Sequence, residues 1–301
     1  MTAPTAVTRL ATVLRADNPG PMTLDGTRSY VLRAPGSSTC VVVDPGPDDA
    51  AHLDVLAAAG PVELVLVTHR HADHTAGAPG LRERTGAPVR AADPAHCHGG
   101  PPLRDGEVVE AAGLRVVVLA TPGHTADSVC LVLPDDGPVT APGDVATVGA
   151  GSPSGTTVLT GDTVLGTGTT VIAEPDGSLG DYLASLDAIE AVASAGPGGA
   201  TGLPGHGPVV DDLASRVRAY REHRLARLVQ VREALAVLGL AADADEATER
   251  VVARVYADVD PSVRGAARQS VAAQLAFLAR AGAGTRTGTD PDVPRAPGGD
   301  R

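Results

Sequence analysis

Four potential metal ligands within six residues, His69-Arg70-His71-Ala72-Asp73-His74, restrict this chain more than any other feature of its sequence. They lie in THRHADHTAG (Thr68–Gly77), directly after an apolar run, Val62–Val67, that only Glu63 interrupts. A run of that length reads as a buried strand, which puts the ligands on the loop leaving a sheet. Imidazole nitrogen and carboxylate oxygen both suit zinc, and neutral imidazole also suits iron or manganese. A tight turn cannot fold four such groups onto one ion without strain, whereas two neighbouring ions can share them. The cluster therefore predicts a two-metal site, and a two-metal site suggests hydrolysis.

The surrounding sequence alternates short β-like runs with Gly/Pro punctuation from Ser29 to about Val171. Examples are SYVLRA (Ser29–Ala34), CVVVDPG (Cys40–Gly46), ELVLVTH (Glu63–His69), LRVVVLATPG (Leu114–Gly123) and SVCLVLP (Ser128–Pro134). Helices are predicted at Asp49–Ala59, from His74 through Leu81 to Gly86, and at Asp181–Ala195. The last of these carries Leu183, Leu186, Ile189 and Ala193 on one stripe. This is the pattern of a layered α/β domain. After Val210 the β-like runs vanish. Asp212 can cap a long helix, a second begins near Asp245, and Asp260-Pro261-Ser262 restarts a third that ends near Gly282. The expected organisation is a hydrolase domain over 1–211, a small helical domain over 212–283, and a disordered Gly/Thr/Pro-rich tail over 284–301.

Composition narrows the function. A formal charge of −12 argues against a surface devoted to nucleic acid, although a local basic groove stays open. The three cysteines, Cys40, Cys97 and Cys130, lack metal or redox spacing and read as reduced thiols of a cytoplasmic protein. No signal-peptide pattern opens the chain and no apolar run approaches the ~20 residues of a membrane span, so a soluble intracellular protein without membrane partners is expected.

Two ions need further ligands, and three later segments offer them at strand ends or glycine turns. TPGHTADS (Thr121–Ser128) presents His124, LTGDTVLG (Leu159–Gly166) presents Asp162, and LPGHGPVV (Leu203–Val210) presents His206 between two glycines. The split we expect is His69, His71 and His124 on one ion and Asp73, His74 and His206 on the other, with Asp162 bridging. Gly143-Asp144 imitates the Gly161-Asp162 step but lacks the strand before it. His96 and His98, in HCHGGPP, are read as solvent-exposed loop residues, and His52 and His223 as helix residues.

These segments, VVVDPG with Asp44, THRHADH, TPGHT, TGD and PGHG, resemble the ordered motifs of the metallo-β-lactamase-fold hydrolase superfamily over about Thr12–Val210. The resemblance implies an αββα sandwich with a dinuclear centre at one edge, and gives the residue at Asp44 a supporting rather than ligating role. NPGPMTLDGT (Asn18–Thr27), TGDTVLGTGTTV (Thr160–Val171), DYLASL and the helical C-terminus resemble the beta-lactamase-like protein 2 branch. There a winged-helix-like domain follows the hydrolase domain, and some members cleave single-stranded RNA. This chain departs from that branch at Arg28-Ser29, where Asn-Thr is usual, and at Ala76-Gly77, where a glycine pair is usual. Arg28 could alter the substrate mouth.

The expected chemistry is attack by a metal-bridging hydroxide, held between two divalent ions about 3.5–4 Å apart, most simply zinc, with manganese or iron as alternatives. Asp73 is the candidate to orient that water or shuttle its proton. The favoured substrate is a phosphodiester, including single-stranded RNA, because Arg216, Arg218, Arg221, Arg224 and Arg227 could face a phosphate backbone. A glyoxalase II-like thioester or ester hydrolase of a small molecule is the alternative, and a non-catalytic regulatory or binding protein the third reading. Homodimers are common among such hydrolases, though no residue pattern here shows one.

Overall fold

With one phenylalanine and no tryptophan, this chain must build its core from valine and leucine, whose branched side chains suit a pleated surface packed on one or both faces. The computed structural model describes residues 3–137, 155–196, 198–258, 260 and 263–285, the last three by backbone only. Its apolar runs form two sheets. The first has six strands in spatial order, β1 (Thr5–Ala6), β2 (Ala11–Arg15), β3 (Arg28–Leu32), β4 (Cys40–Val43), β5 (Val62–Leu66) and β6 (Val89–Arg90). The second has five, β7 (Val108–Ala111), β8 (Leu114–Ala120), β9 (Val129–Leu133), β10 (Thr156–Gly161) and β11 (Ala200–Pro204), with β11 and β7 at its edges.

One core lies between the sheets, where Tyr30, Leu32, Val41, Val43 and Leu66 meet Val116, Val118, Leu131, Leu133, Leu159 and Leu203. The alternate residues of β4 and β5, Cys40, Val42 and Val65, face the opposite way. They pack with Leu53 and Leu56 of α1 (Ala50–Ala58), and across the short α2 (Ala72–Thr75) with Ala78 and Leu81 of α3 (Ala78–Thr85). The period-2 alternation of strand side chains thus serves two cores from one sheet. On the other sheet α4 (Leu179–Ser194) packs against β11. Its buried stripe is Tyr182, Leu186, Ile189 and Ala193, so Tyr182 takes the inner position expected of Leu183. The layers run helix, sheet, sheet, helix.

Helix ends follow local chemistry. Asp49 caps α1 by accepting from His52 N, and Ser178 caps α4 by accepting from Asp181 N. The expected single helix after His74 is broken into α2 and α3 at Ala76-Gly77. The Gly143-Asp144 step that imitates Gly161-Asp162 lies outside the described residues. All three cysteines are free.

The chain divides into two compact units, Met1–Arg224 and Leu225–Arg301, and the division falls inside α5 (Leu213–Leu238) rather than ahead of it at 211/212. Leu213, Val217, Tyr220 and Arg224 are all buried. In the second unit Val231 and Leu235 of α5, Val251 of α6 (Ala247–Val255), and Val271 and Leu275 of α7 (Arg264–Thr285) form a separate core. Among the described residues of this unit there is no strand from which a wing could be built. The helix α7 continues three residues beyond Gly282, and the tail from 286 onward lies outside the described residues. No helix among the described residues is long and apolar enough to cross a membrane.

His52 is buried on the inner side of α1, with its Nε2 2.8 Å from Ser29 Oγ. Burial disfavours its protonated form and lowers its pKa to about 4. The unfolded chain takes up that proton near pH 6.5 while the folded chain does not, so stability is complete above pH 6.5 and falls between pH 6.5 and 4. The full effect is at most about 3 kcal/mol. Urea midpoints measured from pH 7 to pH 4.5 should fall more in the wild type than in His52→Gln, which does not titrate.

Candidate metal centre

Strand direction collects the polar residues at one edge. β4 runs parallel to β5, β10 runs parallel to β11, and β8 points the same way as β10 because both are antiparallel to β9. Asp44 follows β4, His69 to His74 follow β5, His124 follows β8, Asp162 follows β10 and His206 follows β11. The two sheets are joined there by a hydrogen bond from Val129 N to the Thr68 carbonyl at 2.8 Å.

All seven residues expected as ligands come together, in two groups. His69, His71, His124 and Asp162 each bring one ligating atom to within 4.8 Å of the others, and Asp73, His74 and His206 do the same. In the first group His71 Nδ1 lies 3.0 Å from His69 Nε2 and 3.0 Å from His124 Nε2. In the second, Asp73 Oδ2 lies 3.1 Å from His206 Nε2 and 3.3 Å from His74 Nε2. Asp162 faces both. Its Oδ2 is 3.3 Å from His206 Nε2 and 3.8 Å from His124 Nε2, while its Oδ1 is 3.5 Å from His74 Nε2.

The donor set fits two divalent cations. His124 Nδ1 lies 2.8 Å from the Val171 carbonyl, which can only accept, so Nδ1 carries the proton and Nε2 turns a lone pair inward. His74 Nδ1 lies 2.8 Å from Asp44 Oδ2, which fixes its Nε2 inward in the same way. Asp162 Oδ1 is a buried carboxylate oxygen without a hydrogen-bond partner. Converging imidazole lone pairs beside an orphaned carboxylate oxygen make a cation cage. His71 is exposed and the Asp73 side chain is 26% exposed, so the cage opens to solvent on that side.

Electrostatics divide the cluster. Burial, reinforced by the neighbouring imidazoles, holds His69 and His124 below the usual histidine range. Burial also opposes charge on His74 and His206, but carboxylates outweigh it. Asp44 and Asp162 raise His74 well above its ordinary value, and hydrogen bonds to Asp162 and Asp73 raise His206 to about 9. Burial works against the Asp73 and Asp162 carboxylates, yet both are held far below the carboxylate range. Hydrogen bonds from His206 and His74 do this for Asp73, and His74 with His206 does it for Asp162. The ion-free chain therefore carries protons where a cation would sit.

Several supporting residues escaped the sequence reading. Thr27 Oγ1 donates to Asp73 Oδ2 at 2.9 Å, and Asn18 holds Thr27 through Nδ2 to Oγ1 (2.9 Å) and Oδ1 from Thr27 N (2.9 Å). Because Asn18 Nδ2 can only donate, the Thr27 hydroxyl proton is directed at Asp73. Their signal was the NPGPMTLDGT segment, noticed as a resemblance without a role. Arg28 donates to the carbonyl of Gly207, next to His206, and pairs with Asp25 at 3.0 Å. Arg70 gathers three loops through Asp127 (3.0 Å), Asp176 (3.3 Å) and Asp93 (3.5 Å). His96 and His98 belong to neither group and are half-buried rather than exposed.

The model of the metallo-beta-lactamase superfamily matches residues 22–198. The beta-lactamase-like protein 2 homolog of Caenorhabditis elegans is 32% identical over 92% of this chain and 85% of its own length. An atrochrysone carboxyl ACP thioesterase of Aspergillus fumigatus is 30% identical over 72% of this chain, which spans 62% of that protein. Among solved structures, a beta-lactamase domain protein from Burkholderia ambifaria superposes with a TM-score of 0.69 at 24% identity, over 93% of this chain and 88% of that one. The last likeness concerns the fold alone.

Two outcomes follow from the geometry. A Cβ at Gly205 would strike Asp162 Oδ1 and come within 2.7 Å of His74 Cε1, so Gly205→Ala should keep the fold by circular dichroism and lose at least about tenfold in metal affinity. Zinc loading at pH 7.5 should release at least one proton, since His206 must deprotonate to ligate. The apparent affinity should then fall about tenfold per unit and per proton as pH drops below 9, as calorimetry in buffers of different ionisation enthalpy would show.

Proposed function

This chain belongs to the metallo-beta-lactamase superfamily, and from that premise we propose that it is a dinuclear metal-dependent hydrolase acting on a thioester or ester of a small molecule. The ligand geometry supports hydrolysis, and five imidazoles with two carboxylates suit zinc best. Bound there, two divalent ions would supply an activated water, its pKa lowered from about 15.7 toward about 7, and a positive field for the developing oxyanion.

The protein's own residues supply the rest. Thr27, fixed by Asn18, holds Asp73 Oδ2, so the carboxylate is kept in one orientation on the solvent-exposed side of the cage. Asp73 is the group to accept the proton of the attacking water and return it to the leaving group. For a thioester, the water oxygen bonds to the carbonyl carbon, the C–S bond breaks, and the thiolate leaves with the proton returned through Asp73. Products are one carboxylic acid and one thiol. His69, His71, His124, His74, His206 and Asp162 are the remaining ligands in this reading, and Asp44 orients His74.

One observation supports this choice of substrate over a phosphodiester: five arginines of α5 have partners within the chain. Arg216 donates to the Leu165 and Gly168 carbonyls, Arg218 pairs with Glu190 at 3.2 Å and Arg221 with Asp187 at 2.9 Å. Arg224 is buried, and Arg227 bonds Gln230 and stacks 5.0 Å from the Tyr256 ring centroid. The expectation that these five face a phosphate backbone is not met, because internal carbonyls, carboxylates and rings occupy them. The acidic balance of the chain and the similarity to a thioesterase point the same way. The phosphodiester reading, including single-stranded RNA, is the second one, and it rests on the resemblance to the beta-lactamase-like protein 2 branch. A cytoplasmic location, in keeping with three free cysteines, and a homodimer, by analogy with such hydrolases, belong to the same proposal.

The zinc-loaded protein should hydrolyse S-lactoylglutathione or a simple acyl thioester faster than bis(p-nitrophenyl) phosphate or single-stranded RNA, and Asp73→Ala should lose about 10²-fold or more of that rate. RNA cleavage that disappears in Asp73→Ala, without thioesterase activity, would overturn the thioester reading.

A further inference from the structure

Arg224 belongs to α5 and to none of the ligand motifs, yet its side chain is among the most completely enclosed charges in the first unit. The residue is 4% exposed. Among the described residues no carboxylate pairs with it, and its Nε has no hydrogen-bond partner. A guanidinium buried without a counter-charge is costly to keep, so the contacts it does make are informative.

Those contacts lead to the ligands by three short routes. Arg224 Nη2 donates to the Thr170 carbonyl. The hydroxyl of the same threonine lies 2.9 Å from His124 Nδ1, and the next carbonyl, of Val171, lies 2.8 Å from that nitrogen. The guanidinium also sits over the Tyr182 ring, 5.3 Å from its centroid. Tyr182 Oη donates to the Thr163 carbonyl at 2.7 Å, directly after Asp162. The backbone of Tyr182 presses on Gly123, directly before His124, so closely that a Cβ at Gly123 would lie 2.5 Å from Tyr182 Cβ. Nearby, Tyr220 Oη accepts from Leu165 N at 2.9 Å and Arg216 donates to the Gly168 carbonyl at 3.0 Å, which pins the rest of the same loop to α5.

We infer that Arg224 is a positioning residue for the His69, His71 and His124 ion position, acting through Thr170, Val171 and Tyr182. The inference rests on the metal-centre reading given above. By fixing the Thr170–Val171 peptide, Arg224 keeps the His124 Nδ1 proton directed at Val171 and its Nε2 lone pair directed at the cage. The Asp73, His74 and His206 position draws its support from Asn18, Thr27 and Arg28 instead, and does not depend on Arg224. A residue that merely glued α5 to the body of the protein would affect both positions alike, or neither.

The test is zinc titration of the full-length protein by chelator competition, with wild type, Arg224→Met and Arg224→Lys, alongside the His124 Nδ1–H resonance in the zinc-loaded state. Wild type should bind two ions. In Arg224→Met one binding event should weaken about tenfold while the other stays within about twofold, and the His124 Nδ1 proton should exchange faster with water. Arg224→Lys, which keeps the charge and a donor, should recover part of both effects; if Arg224→Met does not fold, weakening of one event in Arg224→Lys is the supporting result. Unchanged binding of both ions, or equal weakening of both with an unshifted His124 resonance, overturns this inference while leaving the metal centre intact. Fewer than two ions bound to wild type overturns the metal-centre reading itself, and this inference with it.

Discussion

The carboxylate of Asp44 holds together the parts on which the site depends. It is buried, it sits at the end of β4 with φ of 51°, and it accepts from Thr68 N at 2.7 Å, Thr68 Oγ1 at 2.7 Å and His74 Nδ1 at 2.8 Å. The left-handed backbone is uncommon for a residue with a side chain, and Asp is among the few that tolerate it. That turn swings the carboxylate across from β4 to the end of β5. There it fixes where the ligand loop begins, through Thr68, and which nitrogen of His74 faces the cage. Three donors satisfy a charge that would otherwise be costly in the interior. The strand pairing brings the loop ends together, and Asp44 turns that proximity into a defined ligand orientation.

From this anchor the two halves of the cage are braced by different parts of the chain. The segment 18–28 braces the Asp73, His74 and His206 half. Asn18 and Thr27 hold Asp73, Arg28 N donates to the Gly205 carbonyl at 2.8 Å, and the Arg28 side chain takes the Gly207 carbonyl. The loop 163–172 and the first half of α5 brace the other. Asp162 belongs mechanically to the second half but lies as near His206 as it does to any imidazole. Asp162 is the member the two halves share, and its tight enclosure by Gly205 and His74 holds it in place when either half is altered.

What the sequence made legible follows from which information is local. His69, His71, Asp73 and His74 declare themselves because ligand chemistry is written in residue type and their spacing is short. His124, Asp162 and His206 were readable because each follows an apolar strand or sits in a glycine turn. The bracing was not readable. Asn18 and Asp73 are brought near each other only after β2, β3, β4 and β5 pair in turn, and no spacing rule announces that a threonine hydroxyl will meet a carboxylate 46 residues away. The strand Ala200–Pro204 escaped notice because Gly202 and Pro204 are poor strand formers, yet it is buried throughout beside β10. The arginines of α5 were misread for a related reason. Helical spacing shows that the arginines recur along the helix, but not that the carbonyls of Leu165, Gly168 and Thr170 lie opposite Arg216 and Arg224 and need donors, or that Glu190 and Asp187 stand beside Arg218 and Arg221.

The same reassignment of charge bears on what can approach the cage. Two divalent ions offset by the Asp73 and Asp162 carboxylates would leave a local excess of positive charge, enough to favour one anionic or polarised group at the opening. Beyond that point the surroundings turn acidic. Arg70 is matched against three carboxylates, Asp93, Asp127 and Asp176, and the formal charge of the chain is −12. Screening at physiological ionic strength limits the attraction of the ions to about 8 Å. A small acyl thioester fits within that range. A polynucleotide would extend well past it, and its further phosphates would meet the carboxylates gathered around Arg70. The placement of fixed charge around the cage, more than the cage itself, favours a small substrate.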